Sequence, residues 1–208
     1  MKTLKNLYKD WEKWVSTADK SEDGWQSYYP AWDDLMNAAI SAMTQQPLDA
    51  EALEYIDKCW AISEETEDLA CYAENHIDEC WDVLCHLAKS EYPDTRWQVY
   101  SVLGFAGPRA ESLLRNGLLD SDDYCKRRAL LSLARLQPDD ARQLASQFLQ
   151  DADPYMRLAS IEMVRVPKDA KFIHQMQTLL LQDPDEYVRK AALTLPSTET
   201  IQESPGAI

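Results

Sequence analysis

The 208-residue chain predicts an all-α fold, and two observations carry that prediction. Residues 94–195 state nearly the same pattern four times. Tyr124-Cys125-Lys126, Tyr155-Met156-Arg157 and Tyr187-Val188-Arg189 each open an apolar helical pattern, and Thr95-Arg96 opens a looser fourth copy. The steps from Arg96 to Lys126, Arg157 and Arg189 are 30, 31 and 32 residues, the period of a two-helix solenoid repeat. The chain also holds only 5 Gly and no alternating β-branched run, so the usual signals of strands and hairpins are missing.

Taken in chain order, Leu4, Leu7, Trp11, Trp14 and Val15 form one helical stripe. Gly24 to Pro30 reads as a loop or the start of a helix with an aromatic cluster. Trp32, Leu35, Met36, Ala39, Ile40 and Met43 form a second stripe, and a third helix runs from Ala50 to about Ile62. A fourth, from about Glu67 to Lys89, would bury Leu69, Ala73, Ile77, Cys80, Leu84 and Leu87 by their spacing.

The repeats follow. Behind each basic residue a helix carries apolar or small residues on one face: Thr95, Val99, Tyr100 and Leu103; Cys125, Ala129, Leu130 and Leu133; Met156, Ser160, Ile161 and Val164; Val188, Ala192 and Leu193. The small middle residue lets a neighbouring helix approach closely. The preceding helices repeat as Ala110, Leu113 and Leu118; Ala141, Leu144 and Leu149; Ile173, Met176 and Leu181. Pro108, Pro138 and Pro167 sit near their starts, where a missing N–H costs little. Asp153-Pro154 and Asp183-Pro184 mark the turn between the paired helices.

These copies, most clearly Asp151 to Ile161 and Asp183 to Leu193, resemble HEAT repeats, in particular the short HEAT-like kind also found in phycobilisome lyases. The resemblance spans about half the chain. It implies a right-handed α-α superhelix in which the basic residue after the turn bonds acidic groups of that turn or of the adjacent repeat. Lys126, Arg157 and Arg189 are expected to be structural in this sense. Such arrays scaffold many unrelated tasks, so the resemblance bears on fold more than on function.

The expected organisation is a divergent, acidic, Trp-rich helical part at 1–92 packed on the solenoid, repeats at 93–196 and a flexible tail at 197–208. Charge separates the first two. Residues 1–92 hold 20 Asp or Glu against 7 Lys, a balance of −13, while residues 93–208 hold 16 against 14, a balance of −2. Residues 49–82 contain twelve acids and one base, Lys58. Such a run is either a solvated face or a surface that steers a basic partner inward.

Several chemistries are not expected. His76, Cys80, Cys85 and His86 cluster in sequence but include no C-x-x-C or H-E-x-x-H pattern, so no metal is predicted. There is no G-x-S-x-G, P-loop or dinucleotide glycine motif, and so neither catalytic residues nor a cofactor. A net charge of −15 disfavours nucleic acid, despite the basic stripe of Lys126, Arg127, Arg128, Arg135, Arg157, Arg165, Arg189 and Lys190. Five cysteines at helical spacings suggest free thiols, and the first residues lack a long apolar stretch. Cytoplasm, with no membrane partner, is the expected location.

Size, acidity and helical repeats resemble the immunity proteins by which bacteria neutralise interbacterial toxins. That analogy implies a monomer occluding a basic toxin or effector enzyme in a one-to-one complex, with Glu67, Asp68, Glu74, Asp78, Glu79 and Asp82 as the steering surface. The alternative is an adaptor whose inner helices hold a partner through Arg127, Leu131, Arg135, Leu158, Glu162, Arg165 and Lys190. A HEAT-like lyase or DNA glycosylase is the third reading.

Overall fold

The computed structural model describes residues 2–21, 25–137, 141–164 and 170–195. Among them are twelve α-helices and no strand. In order they are α1 (Leu4–Val15), α2 (Trp32–Met43), α3 (Ala50–Ile62), α4 (Asp68–Asn75), α5 (Ile77–Leu87), α6 (Pro93–Leu103), α7 (Glu111–Gly117), α8 (Asp123–Leu136), α9 (Ala141–Phe148), α10 (Pro154–Val164), α11 (Ala170–Leu180) and α12 (Glu186–Ala192). Helices pack chiefly on sequence neighbours, the habit of a HEAT-like α-solenoid. No described helix is long and apolar enough to cross a membrane. The chain divides into two compact units, Met1–Ala129 and Leu130–Ile208.

In the first unit, α1, α2 and α3 pack against one another. Side-chain caps start two of them: Thr3 accepts from the Asn6 amide and Asp49 from the Ala52 amide, satisfying donors that a helix start leaves open. Asp33 and Asp34 lie in the first turn of α2, where the helix dipole favours negative charge. Leu7, Trp11, Trp32, Leu35, Met36, Ala39 and Met43 are buried as their spacing predicts, and Tyr8 joins them. Trp14 is half-buried against Trp25 and Tyr29.

The helix expected from 67 to 89 is two helices, α4 and α5, broken at His76. In an unbroken helix the Tyr72 carbonyl would accept from the His76 amide. Here it faces the His76 ring nitrogen at 2.9 Å, and the His76 amide turns to Ala73 instead. The Asn75 side-chain amide likewise donates to the Cys71 carbonyl. Side chains thus replace backbone partners and end α4. The apolar spacing still leads to the core, since Leu69, Ala73, Cys80, Leu84 and Leu87 are all buried.

Helix α6 packs on α3, α4, α5 and α7 and buries Thr95, Trp97, Gln98, Val99, Tyr100, Val102 and Leu103. A helix covered on nearly every side needs few polar positions. Gln98 is carried inside because its amide donates to the Trp60 and Asp94 carbonyls. At the next helix pair, a Cβ added to Gly117 would stand 2.7 Å from the Ala129 Cβ and 3.0 Å from the Tyr100 ring. Close approach at the small repeat position thus requires glycine on the facing helix.

The second unit pairs α9 with α10, α10 with α12 and α11 with α12. Leu144, Leu149, Met156, Ser160, Ile161, Met176, Val188 and Ala192 are buried at their repeat positions. Two expected core residues are not: Leu181 is 42% and Leu193 65% exposed. Leu180, one residue earlier on α11, takes the inward place of Leu181. Pro138, Pro167, the expected tail at 197–208, and the side chains of Ala141, Val164 and Ile173 lie outside the described residues.

One turn design recurs in both units. Asp120, Asp151 and Asp183 each accept, at 2.9 Å, the amide two residues on, and the second Asp then caps the following helix: Asp122 to the Cys125 amide, Asp153 to Tyr155, Asp185 to Tyr187 and Val188. Ser90 performs the first step ahead of α6, where its Oγ accepts from the Tyr92 amide and donates to the Asp57 carboxylate on α3. The arginine six residues after the turn's first residue then bonds backward and forward. Arg96 donates to the Ser90 and Glu91 carbonyls and grips Asp120 through Nε and Nη2 at 2.7 and 2.8 Å. Arg157 does the same to the Asp151 and Ala152 carbonyls and to Asp183.

Candidate functional site

The expected acidic surface falls on α4 and α5. Glu74, Glu79 and Asp82 are exposed and make no ion pair among the described residues. Two stacked pairs sit among them. The Tyr72 and His76 rings lie parallel, 4.1 Å between centroids, and the Arg109 guanidinium lies 4.3 Å over the half-buried Trp81 ring. Carboxylates around flat aromatic and guanidinium groups offer both charge for steering and apolar area for retention.

Two of the other acids predicted for this surface have partners. Asp68 accepts from the Trp32 Nε1–H at 2.9 Å, which ties α4 to α2. Asp78 pairs with Arg109 at 2.6 Å, although its side chain is 90% exposed and the pair contributes little stability. Glu67 precedes α4 in the left-handed region at φ 52°, an uncommon conformation for a residue with a Cβ.

The residues expected on the inner helices are placed as follows. Arg127 and Arg128 both stand 5.1 Å from the Tyr124 ring, and Arg128 also donates to the Tyr124 hydroxyl and lies 5.2 Å over Trp97. Arg127, Leu131 and Arg135 follow at four-residue steps on one face of α8, and Leu131 and Arg135 are exposed. Leu158 is half-buried on α10, while Lys190 on α12 is exposed and pairs with Glu186 at 3.2 Å. The Glu162 side chain and the whole of Arg165 lie outside the described residues.

The residues read as structural divide. Arg157 bridges repeats, Lys126 pairs with Asp123 of its own helix at 2.7 Å, and Arg189 donates to the Asp183 and Pro184 carbonyls of its turn. Arg157 hydrogen bonds, opposed by burial, hold the Asp183 carboxyl below its usual range. Burial works against Asp120, but Arg96 and the Asp122 amide bring it below that range as well.

Burial raises the thiols of Cys80 and Cys125, to about 11 and about 12, leaving them protonated and poor nucleophiles. All five cysteines are free. Glu64 is raised to about 7 by partial burial and then by the neighbouring Asp94 charge. No group of three or more potential metal-ligating side chains comes together among the described residues.

Sequence reasoning missed the Tyr72–His76 and Trp81–Arg109 stacks, which join residues without a shared motif. It also missed the exposure of Tyr155 and Tyr187. Both mark the repeats, yet they are 62% and 63% exposed.

Residues 111–195 match a family model of HEAT repeats. The chain carries HEAT-like helical repeats. No curated protein matches it. HEAT arrays present extended surfaces built from successive helix pairs, and the match begins at α7, so the acidic helices α4 and α5 lie outside it.

Proposed function

We propose that this chain is a non-enzymatic protein-binding module that captures a basic protein partner on the acidic face of α4 and α5, in the manner of an immunity protein occluding a basic toxin or effector enzyme. One observation carries the reading: Glu74, Glu79 and Asp82 are exposed without ion-pair partners among the described residues, beside aromatic surface at Tyr72 and Trp81. Carboxylates already neutralised by neighbouring cations would not attract a basic partner; these three add their field to the −13 balance of residues 1–92. The carboxylates accelerate encounter, and the aromatic groups set the rate of escape.

The test compares capture of a partner from the source cell at low salt by the natural chain, by Glu74→Gln/Glu79→Gln/Asp82→Asn, and by Arg127→Glu/Arg135→Glu. The reading expects the first variant to lose most of the association rate and its salt dependence, while the second binds normally. The reverse result would favour the adaptor reading, for which exposed Leu131 and the ring–guanidinium cluster at Tyr124 are the supporting observations.

A further inference from the structure

We propose that Arg128 is a receptor for a single carboxylate, that of an aspartate or glutamate side chain on a protein partner. Its guanidinium is held in place by the fold, yet one edge of it is left unfilled.

What holds it lies on two helices of the first unit. Trp97 on α6 and Tyr124 on α8 meet edge to face, 5.4 Å between centroids, and the Arg128 guanidinium stands 5.2 Å from the Trp97 ring and 5.1 Å from the Tyr124 ring. Its Nε and Nη2 both donate to the Tyr124 hydroxyl, at 3.1 and 2.6 Å. A free arginine loses rotamer freedom when it binds; here the rings and the hydroxyl restrict the side chain before a ligand arrives.

The arginines that hold the turns together are filled, and Arg128 is not. Arg96 and Arg157 set Nε and Nη2 on an aspartate and Nη1 on two turn carbonyls, and Arg189 also sets Nη1 on two carbonyls. Arg128 meets a hydroxyl where Arg96 and Arg157 meet a carboxylate, and it makes no ion pair among the described residues. Its Nη1 has no acceptor there and is not enclosed, so it faces solvent. With Nε and one N–H of Nη2 turned to Tyr124, the outer edge keeps one N–H of Nη1 and one of Nη2 side by side. Two parallel donors match the two oxygens of a carboxylate.

A carboxylate suits this edge better than a phosphate. One guanidinium balances one negative charge, whereas a phosphate monoester brings nearly two to a chain whose net charge is −15. Tyr124, 38% exposed, adds ring surface for the methylenes that carry the partner's carboxylate. The receptor uses no residue of α4 or α5, so its test is independent of the acidic face.

The test is an NMR titration of the full chain with N-acetyl-glutamate methylamide, with the neutral glutamine analogue as control, followed at the Arg128 Nε–H and the Tyr124 ring. Saturable shifts with glutamate and none with glutamine are expected. Arg128→Lys keeps the charge without the fork, and its affinity, read at the Tyr124 ring, should be about tenfold lower. Unchanged amide spectra elsewhere would verify its folding. Should that variant fail to fold, the glutamate–glutamine contrast at Arg128 in the natural chain decides. Equal responses to the two probes, no saturable shift at Arg128, or undiminished binding by a folded Arg128→Lys chain would overturn the proposal. So would tighter binding of N-acetyl-phosphoserine methylamide than of the glutamate probe.

Discussion

The Arg157 and Asp183 side chains are only 9% and 7% exposed, so removing one partner strands a charge away from water. Arg157→Ala should cost about 3 kcal/mol in denaturant unfolding. Arg157→Lys should recover only part of that, because one ammonium replaces a forked donor. The same pair sets an acid limit. Asp183 has a lower carboxyl pKa folded than unfolded, so its contribution is present above the ordinary carboxylate range and is lost as pH falls through the folded value. Glu64 acts in the opposite sense. Its carboxyl rises from an ordinary 4.5 to about 7, so the folded chain retains a proton that the unfolded chain releases, and stability falls as pH climbs between those values. Glu64→Gln should therefore raise the melting temperature at pH 8 and leave it nearly unchanged at pH 4. Period alone marked Arg157 as structural, but the identity of its acceptor depends on which turn the fold brings beside it. The closeness of Glu64 to Asp94, thirty positions away, has no trace in any local pattern.

Helices α7 and α8 meet where Gly117 faces Ala129, and this contact tests the element-level reading directly. Gly117→Ala gains helix propensity worth about 1 kcal/mol but drives a methyl group into a fixed Cβ. Overpacking of that kind costs about 1–3 kcal/mol, so net destabilisation by thermal melting is expected. Leu103→Ala in the enclosed helix α6 should cost about 2–5 kcal/mol by the same measurement. Most helices were legible because a single buried stripe determines both their existence and their phase. The break at His76 was not, since apolar spacing continues through it while side chains quietly replace backbone hydrogen bonds. Leu181 and Leu193 misled for a related reason. Their repeat positions are apolar, yet on α11 it is Leu180 that turns inward, and a fixed offset does not reveal which of two adjacent apolar residues does so.

For the whole molecule, the repeats account for how the chain is built and charge accounts for how it is proposed to act. The sequence made the acidic half conspicuous but could not separate structural acids from available ones. Asp68 holds Trp32 and Asp78 faces Arg109, whereas Glu74, Glu79 and Asp82 are exposed with no ion pair among the described residues. The most direct test measures the association rate between this chain and its purified partner across salt concentrations, for the natural protein and for Glu74→Gln/Glu79→Gln/Asp82→Asn. A rate that falls steeply with salt in the natural protein, and is at least tenfold slower and nearly flat in the variant, is the predicted result. Equal rates and equal salt dependence in the two proteins would contradict the account.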